Sequence, residues 1–304
     1  MSEKLTGLIA ATCTPMKRNT DINLDVIPAY AEALTADGVR GVFPCGSTGE
    51  SSSLTVAERK AVTREWITAS KKRLAVIAHV GHTCVKDSQA LAEDAQAAGA
   101  TAIAALAPYY FKPTDLDTLI DFCAEVASAA PKLPFYYYHM PGLTGVNIKV
   151  AEFLARGAER IPTLAGAKYT HEDGADLIDC LRLDNGRYQM FFGRDDMLLA
   201  ALATGATAAV GSTYNFMAPM YNKMIAAVNT GDLATAQTYQ YKSVKILQCM
   251  VRAGALSAFK ASMKMIGIDC GPIRLPLRTL DGDALRTYER DLRAAGFFDA
   301  ISKR

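Results

Sequence analysis

Lys168 ends the short apolar run Leu164-Ala165-Gly166-Ala167, and Tyr138 ends another, Phe135-Tyr136-Tyr137. A lysine at the end of such a run sits where a strand leaves a core. Desolvation there favours the uncharged amine, which is a nucleophile toward carbonyl carbon. A tyrosine hydroxyl at the end of the preceding run can move a proton at the same centre. Gly46-Ser47-Thr48-Gly49 brings two hydroxyls and several backbone N–H groups into one tight loop, which suits a small anion such as a carboxylate. Plainer readings exist for each: a lysine that snorkels from a strand end into solvent, and an ordinary glycine-rich turn.

Other chemistries lack their residues. No GxxxxGK[ST] loop is present and no GxGxxG follows the first apolar run, which disfavours ATP and NAD. His79, His82, His139 and His171 show no ligand spacing, and no carboxylate cluster would suit magnesium, so neither a metal nor a cofactor is expected. Ser212 has no GxSxG elbow around it. The 304 residues carry 33 basic and 31 acidic side chains, a net charge of +2, spread along the chain. That balance points to neither nucleic acid nor membrane as a partner. Met1-Ser2-Glu3-Lys4-Leu5 has no apolar leader region, no stretch approaches the ~20 apolar residues of a membrane span, and a cytoplasmic location is expected. The seven cysteines are scattered singly, so they read as small buried hydrophobes rather than disulfides or a zinc site.

These residues need elements to hold them. Apolar runs at Gly7–Thr12, Val39–Pro44, Leu74–Val80, Thr101–Leu106, Phe135–Tyr138, Leu164–Lys168, Tyr188–Phe192 and Thr207–Val210 alternate with segments of helical spacing. Thr55-Val56-Ala57-Glu58 has the spacing of a capping box, and Pro28 belongs early in its helix. Eight strands alternating with helices predict a (β/α)8 TIM barrel over residues 1–225; an open doubly wound sheet is the alternative. Residues 226–304 read as a helical extension packed on the barrel, not an independent domain, with helices over Asp232–Ala253, Leu256–Ile266 and Asp283–Ala295 and a Gly/Pro-rich break at Gly267–Pro276. A barrel of this kind carries its chemistry at the C-terminal ends of the strands. Polar residues do collect after the runs: Gly46 to Glu50, His139-Met140-Pro141, Tyr169-Thr170, Gly193-Arg194-Asp195-Asp196, and Gly211 to Asn215.

Gly41 to Glu58 (GVFPCGSTGESSSLTVAE) resembles the first signature of the dihydrodipicolinate synthase/N-acetylneuraminate lyase family. YHMPGLTG followed by LAGAKYT resembles the second, and the likeness extends through Pro108–Pro113 and Ala209–Asn215, from Leu5 to about Pro276. What the resemblance implies is a Schiff-base aldolase on a TIM barrel that acts on pyruvate-like 2-keto acids, without a cofactor and as a homotetramer. Lys168 would match the imine-forming lysine, Tyr138 the proton-shuttling tyrosine, Ser47 and Thr48 the carboxylate-binding pair, and Tyr110 a tyrosine that reaches a neighbouring subunit's site.

Within the family the synthases carry an arginine two residues after the proline of the YxxP motif, and Leu143 stands there instead. A leucine leaves a second substrate carboxylate unpaired, which is costly to desolvate. PGLTG matches the lyase pattern, so the resemblance implies retro-aldol cleavage of N-acetylneuraminate, a sialic acid, to N-acetylmannosamine and pyruvate. Thr170, Gly193, Asp195, Asp196 and Ser212 would then hold the sugar tail. Asp196 departs from the lyases' Gly-x-Asp-Glu by one methylene, and its plainer reading is a carboxylate at a helix N-terminus. The alternatives are another aldolase or dehydratase of the family acting on a 2-keto-3-deoxy sugar acid, and a non-catalytic sugar-acid binding protein.

Overall fold

The computed structural model describes residues 4–301. Met1–Glu3 of the N-terminal stretch without a leader region, and the outer ends of the 1–225 and 226–304 segments, lie outside the described residues. Eight parallel strands close into a barrel in chain order, β1 pairing with both β2 and β8. They are β1 (Gly7–Ala10), β2 (Gly41–Val42), β3 (Ala75–His79), β4 (Ala102–Leu106), β5 (Phe135–His139), β6 (Leu164–Tyr169), β7 (Gln189–Phe192) and β8 (Ala208–Gly211). Between them run α1 (Ile27–Ala36), α2 (Val56–Ser70), α3 (Val85–Ala98), α4 (Leu116–Ser128), α5 (Pro141–Thr144), α6 (Val150–Gly157), α7 (Gly174–Arg182) and α8 (Leu198–Ala203). After β8 come α9 (Tyr214–Asn229), α10 (Leu233–Arg252), α11 (Leu256–Met265) and α12 (Gly282–Ala294). This is the TIM barrel that the alternation predicts.

Local signals hold. Both halves of the Thr55–Glu58 capping box form, and Pro28 occupies the first turn of α1. The second run contributes only two residues of strand, because Val39 closes the end of α1 through its N–H to Leu34 O. Six cysteines are buried, and Cys84 is the exception, exposed at the start of α3.

Alternation along the strands sorts side chains into two cores. Ile9, Phe43, Ile77, Ala102, Ala104, Tyr136, Tyr138 and Phe191 fill the barrel interior. Ile103, Phe135, Tyr137, Ala167 and Tyr169 point outward to the helices. The alanines of β4 leave the interior space that Tyr136 and Phe191 occupy, their rings 4.8 Å apart. Tyr137 instead stacks outward on Phe153 at 4.4 Å. Each such ring, fully buried, contributes roughly 1.5–3 kcal/mol.

One irregularity decides where the sixth strand points its lysine. Phe135 pairs with Leu164, but Tyr136 pairs with Gly166, so Ala165 is the extra residue of a bulge. A one-residue slip exchanges the faces of everything after it. Leu164 and Ala167 therefore both face outward, and Lys168 turns into the barrel. Gly166 is needed there: its φ is +152°, and a Cβ would lie 1.9 Å from Gln189 O.

The three last helices share the outer core with the barrel. Phe216 of α9 packs near Phe259 of α11 and Phe297 beyond α12, at 6.3 and 5.8 Å between ring centroids. Lys260 of α11 makes a buried ion pair with Glu50 at 2.6 Å, and the Arg274 N–H donates to the other oxygen of Glu50 at 2.9 Å. The end of the Ser47–Glu50 loop is thus held from the C-terminal segment.

Candidate active site

Lys168 reaches the mouth of the barrel with 4% of its surface exposed. Its Nζ lies 4.0 Å from the centroid of the Tyr138 ring and 4.4 Å from that of Phe43, so its immediate neighbours are aromatic faces. The strand register places Tyr138 directly beside Lys168 on β5, which brings hydroxyl and amine into one small volume. The Tyr138 hydroxyl is 3.3 Å from Ser47 Oγ and donates to Met140 Sδ at 2.8 Å. An amine on β6, a phenol on β5 and a serine hydroxyl from the loop after β2, gathered at one mouth, can form an imine and pass a proton beside it.

Above this layer, Thr48 Oγ1 and Ser212 Oγ are 2.7 Å apart and join the loops after β2 and β8. Thr170 and Gly193 face each other after β6 and β7. A Cβ on Gly193 would lie 2.0 Å from Thr170 Oγ1, a buried oxygen with no hydrogen-bond partner among the described residues. That hydroxyl is a buried polar group left unsatisfied between the two loops.

The two aspartates of the seventh loop have separate surroundings. Asp195 is buried, and its Oδ2 accepts from the Thr213 N–H at 2.8 Å and the Thr213 hydroxyl at 2.6 Å. Burial raises its carboxyl above the ordinary range, with the Thr213 bonds opposing. Asp196 turns aside: both its oxygens accept from Arg194, at 3.1 and 2.7 Å, and Arg194 also donates to Glu172. Asp196 lines a 380 Å³ cavity with His171, Glu172, Leu177, Phe192 and Arg194. The structure therefore brings Lys168, Tyr138, Ser47, Thr48 and Ser212 together, and sets Thr170, Gly193 and Asp195 around them. Asp196 is engaged by its own loop. Tyr110 stands apart, 78% exposed and ring to ring with Phe111.

Sequence reasoning missed what braces the seventh loop. The Gln240 side chain, on α10, donates to Asp195 O at 3.2 Å and Ser243 Oγ at 2.8 Å, and its oxygen accepts from Leu199 N–H at 2.8 Å. It stands in for the missing side-chain cap of α8. The Tyr221 hydroxyl lies 2.9 Å from Thr213 Oγ1 and supports Asp195 from behind. No spacing rule links Gln240 to Asp195 across 45 residues. Met140 was within reach, since it lies in the YHMP stretch.

Among the described residues, no group of three or more His, Cys, Asp or Glu side chains could hold a metal ion, and no helix is long and apolar enough to cross a membrane. The profile of the dihydrodipicolinate synthetase family matches residues 4–295, past the Pro276 at which the motif resemblance stops. The N-acetylneuraminate lyase of Mus musculus is 43% identical over 99% of this chain and 95% of its own length. That of Homo sapiens is 44% identical over 97% and 94%. Among solved structures, the N-acetylneuraminate lyase of Proteus mirabilis superposes with a TM-score of 0.94 at 38% identity, covering 97% of this chain and 100% of that one. The N-acetylneuraminate lyase (sialic acid aldolase) of Aliivibrio salmonicida gives 0.94 at 39%, covering 97% and 98%.

Proposed function

The chain belongs to the dihydrodipicolinate synthetase family, and from that membership and the mouth geometry we infer that it is a Schiff-base aldolase cleaving N-acetylneuraminate reversibly to N-acetylmannosamine and pyruvate. One observation carries the mechanism: the Lys168 amine lies against the Tyr138 and Phe43 rings, at the C-terminal end of β6. The sugar substrate is supported by the lyase relatives, alike over nearly the whole chain, and by Leu143 in place of an arginine.

In this reading the neutral Lys168 amine adds to the C2 ketone of the open-chain sugar acid, and loss of water leaves an iminium. The C3–C4 bond breaks, and its electron pair moves into the iminium to give an enamine. Tyr138 relays the proton of the C4 hydroxyl as C4 becomes the aldehyde of N-acetylmannosamine, with Ser47 Oγ next in line. Protonation of the enamine at C3 and hydrolysis of the imine release pyruvate and the free amine. Ser47, Thr48 and the neighbouring N–H groups hold the C1 carboxylate so that C2 faces Lys168. Thr170, with its unpaired hydroxyl, Gly193 and Ser212 meet the sugar hydroxyls. Asp195 and Asp196 act on the tail through the loop they shape, Asp195 from beneath and Asp196 from its pair with Arg194.

The reading includes a homotetramer, supported by the exposure of Tyr110 and Phe111 at 78% and 85%, an aromatic surface fitted to a second copy. It also includes a cytoplasmic location, which the seven unbridged cysteines favour. The test is a panel of N-acetylneuraminate, N-glycolylneuraminate and 2-keto-3-deoxy sugar acids, scored by pyruvate release. Cleavage of the sialic acids is expected. Release only from a shorter keto-deoxy acid would keep the aldolase and overturn the substrate.

A further inference from the structure

Arg59, on α2, is 1% exposed, and no carboxylate among the described residues pairs with its guanidinium. Its Nη1 donates to Gly81 O at 2.9 Å and its Nη2 to His79 O at 2.7 Å. A buried cation without a counter-charge is costly, and buried charges are normally paired. What stands in front of it is the imidazole of His79, at the end of β3, with its Nδ1 2.7 Å from Cys45 O. Arg59 Nη2 also lies 3.3 Å from this nitrogen, but the shorter contact is to a carbonyl oxygen, which can only accept, so the ring proton is placed on Nδ1 and Nη2 is left to His79 O. Burial and the adjacent Arg59 charge push the imidazole well below its ordinary range, so it stays neutral. Cys45 has a left-handed φ of +56° and leads directly into Gly46-Ser47-Thr48. The other side of the His79 ring meets Tyr138 edge to face, with centroids 5.6 Å apart.

We infer that Arg59 and His79 are positioning residues: His79 fixes the Cys45 carbonyl and so the Ser47–Thr48 loop, and the buried charge of Arg59 behind that loop is answered by the carboxylate of the 2-keto acid. The inference rests on the reading that this loop binds the keto-acid carboxylate. It explains how a loop without a basic residue receives an anion, and what a buried arginine does where no carboxylate among the described residues forms an ion pair with it and Asp87 acts on it only as a minor, through-space charge. It assigns neither residue a contact with the sugar.

The test compares His79→Leu, His79→Asn, Arg59→Met and Arg59→Lys. Two readouts are taken beside thermal melting: the pyruvate concentration for half-maximal borohydride trapping, which needs no sugar, and the KM for N-acetylmannosamine in the condensation direction. His79→Leu should raise the pyruvate half-saturation about 10–100-fold, in line with the cost of an ångström-scale misplacement, and leave the N-acetylmannosamine KM within about twofold. His79→Asn, whose amide nitrogen can occupy the Nδ1 position, should recover most of the loss, and Arg59→Lys should do better than Arg59→Met. If Arg59→Met does not fold, Arg59→Lys, which keeps the charge, decides that half: a rise in pyruvate half-saturation as large as that of His79→Leu would overturn the role of the charge. Equal losses for both substrates, unchanged pyruvate half-saturation in His79→Leu, or Asn no better than Leu would overturn it. A wild type that traps pyruvate yet spares N-acetylneuraminate removes the sugar substrate alone, and the inference is then scored on trapping. A wild type that traps no pyruvate overturns both.

Discussion

Replacing Gly166 with alanine should silence the protein while leaving it folded. A Cβ at this position would lie 1.9 Å from Gln189 O, well over an ångström inside ordinary contact, and 2.7 Å from Gln189 C, and the φ of +152° is one that L side chains rarely adopt. The backbone conformation costs about 1–3 kcal/mol and the overpacking about 1–3 kcal/mol more. Against a typical stability of roughly 5–15 kcal/mol the variant stays folded, with a Tm lower by roughly 4–20 °C. Relief of the clash can come only from moving β6 away from β7, and Lys168 lies two residues on, in the same bulge-set phase. A shift of about 1 Å in a nucleophile costs on the order of 10²-fold in rate. Pyruvate release from N-acetylneuraminate should therefore fall at least that far in Gly166→Ala, with circular dichroism showing a folded barrel. A variant that cleaves at the wild-type rate would refute the argument that the bulge aims the lysine.

Lys168→Ala should abolish both cleavage and borohydride trapping, whereas Tyr138→Phe should still trap pyruvate and lose about 10²–10⁴-fold in turnover, as stopped-flow and steady-state assays would distinguish. Gln240→Leu removes the bonds to Asp195 O and Leu199 N–H; it should raise the N-acetylneuraminate KM several-fold and leave pyruvate half-saturation unchanged. The Arg274 hydrogen bonds hold Glu58 down at about 2 against an ordinary 4.5, so this pair stabilises the fold above about pH 4.5 and the gain is lost as pH falls from 4.5 toward 2. Arg274→Gln should cost about 1–2 kcal/mol at neutral pH and flatten the stability profile across that acid window, as urea unfolding at graded pH would register.

Much of this was legible because several of the apolar runs end in, or lead directly into, the residues that work. Lys168 and Tyr138 end two runs, the Ser47-Thr48 loop follows a third, and a closed barrel gathers strand ends into one mouth. The bulge was not legible, since Ala165-Gly166 reads as ordinary strand; yet simple alternation from Leu164 would have turned Lys168 outward. Asp195 and Asp196 are identical letters side by side, and only tertiary neighbours send one to Thr213 and the other to Arg194. Gln240, Lys260 and Arg274 lie far along the chain from the loops they hold, so no local spacing points to them. The exposed Tyr110 is legible as a residue but not as a contact, because its expected partner belongs to another copy of the chain.

The most direct measurement is intact mass after incubation with N-acetylneuraminate and borohydride, followed by peptide mapping. A single reduced pyruvyl adduct on Lys168 is expected, since binding, imine formation and carbon–carbon cleavage must all occur to leave it. An unmodified Lys168, or an adduct on another lysine, would contradict that expectation.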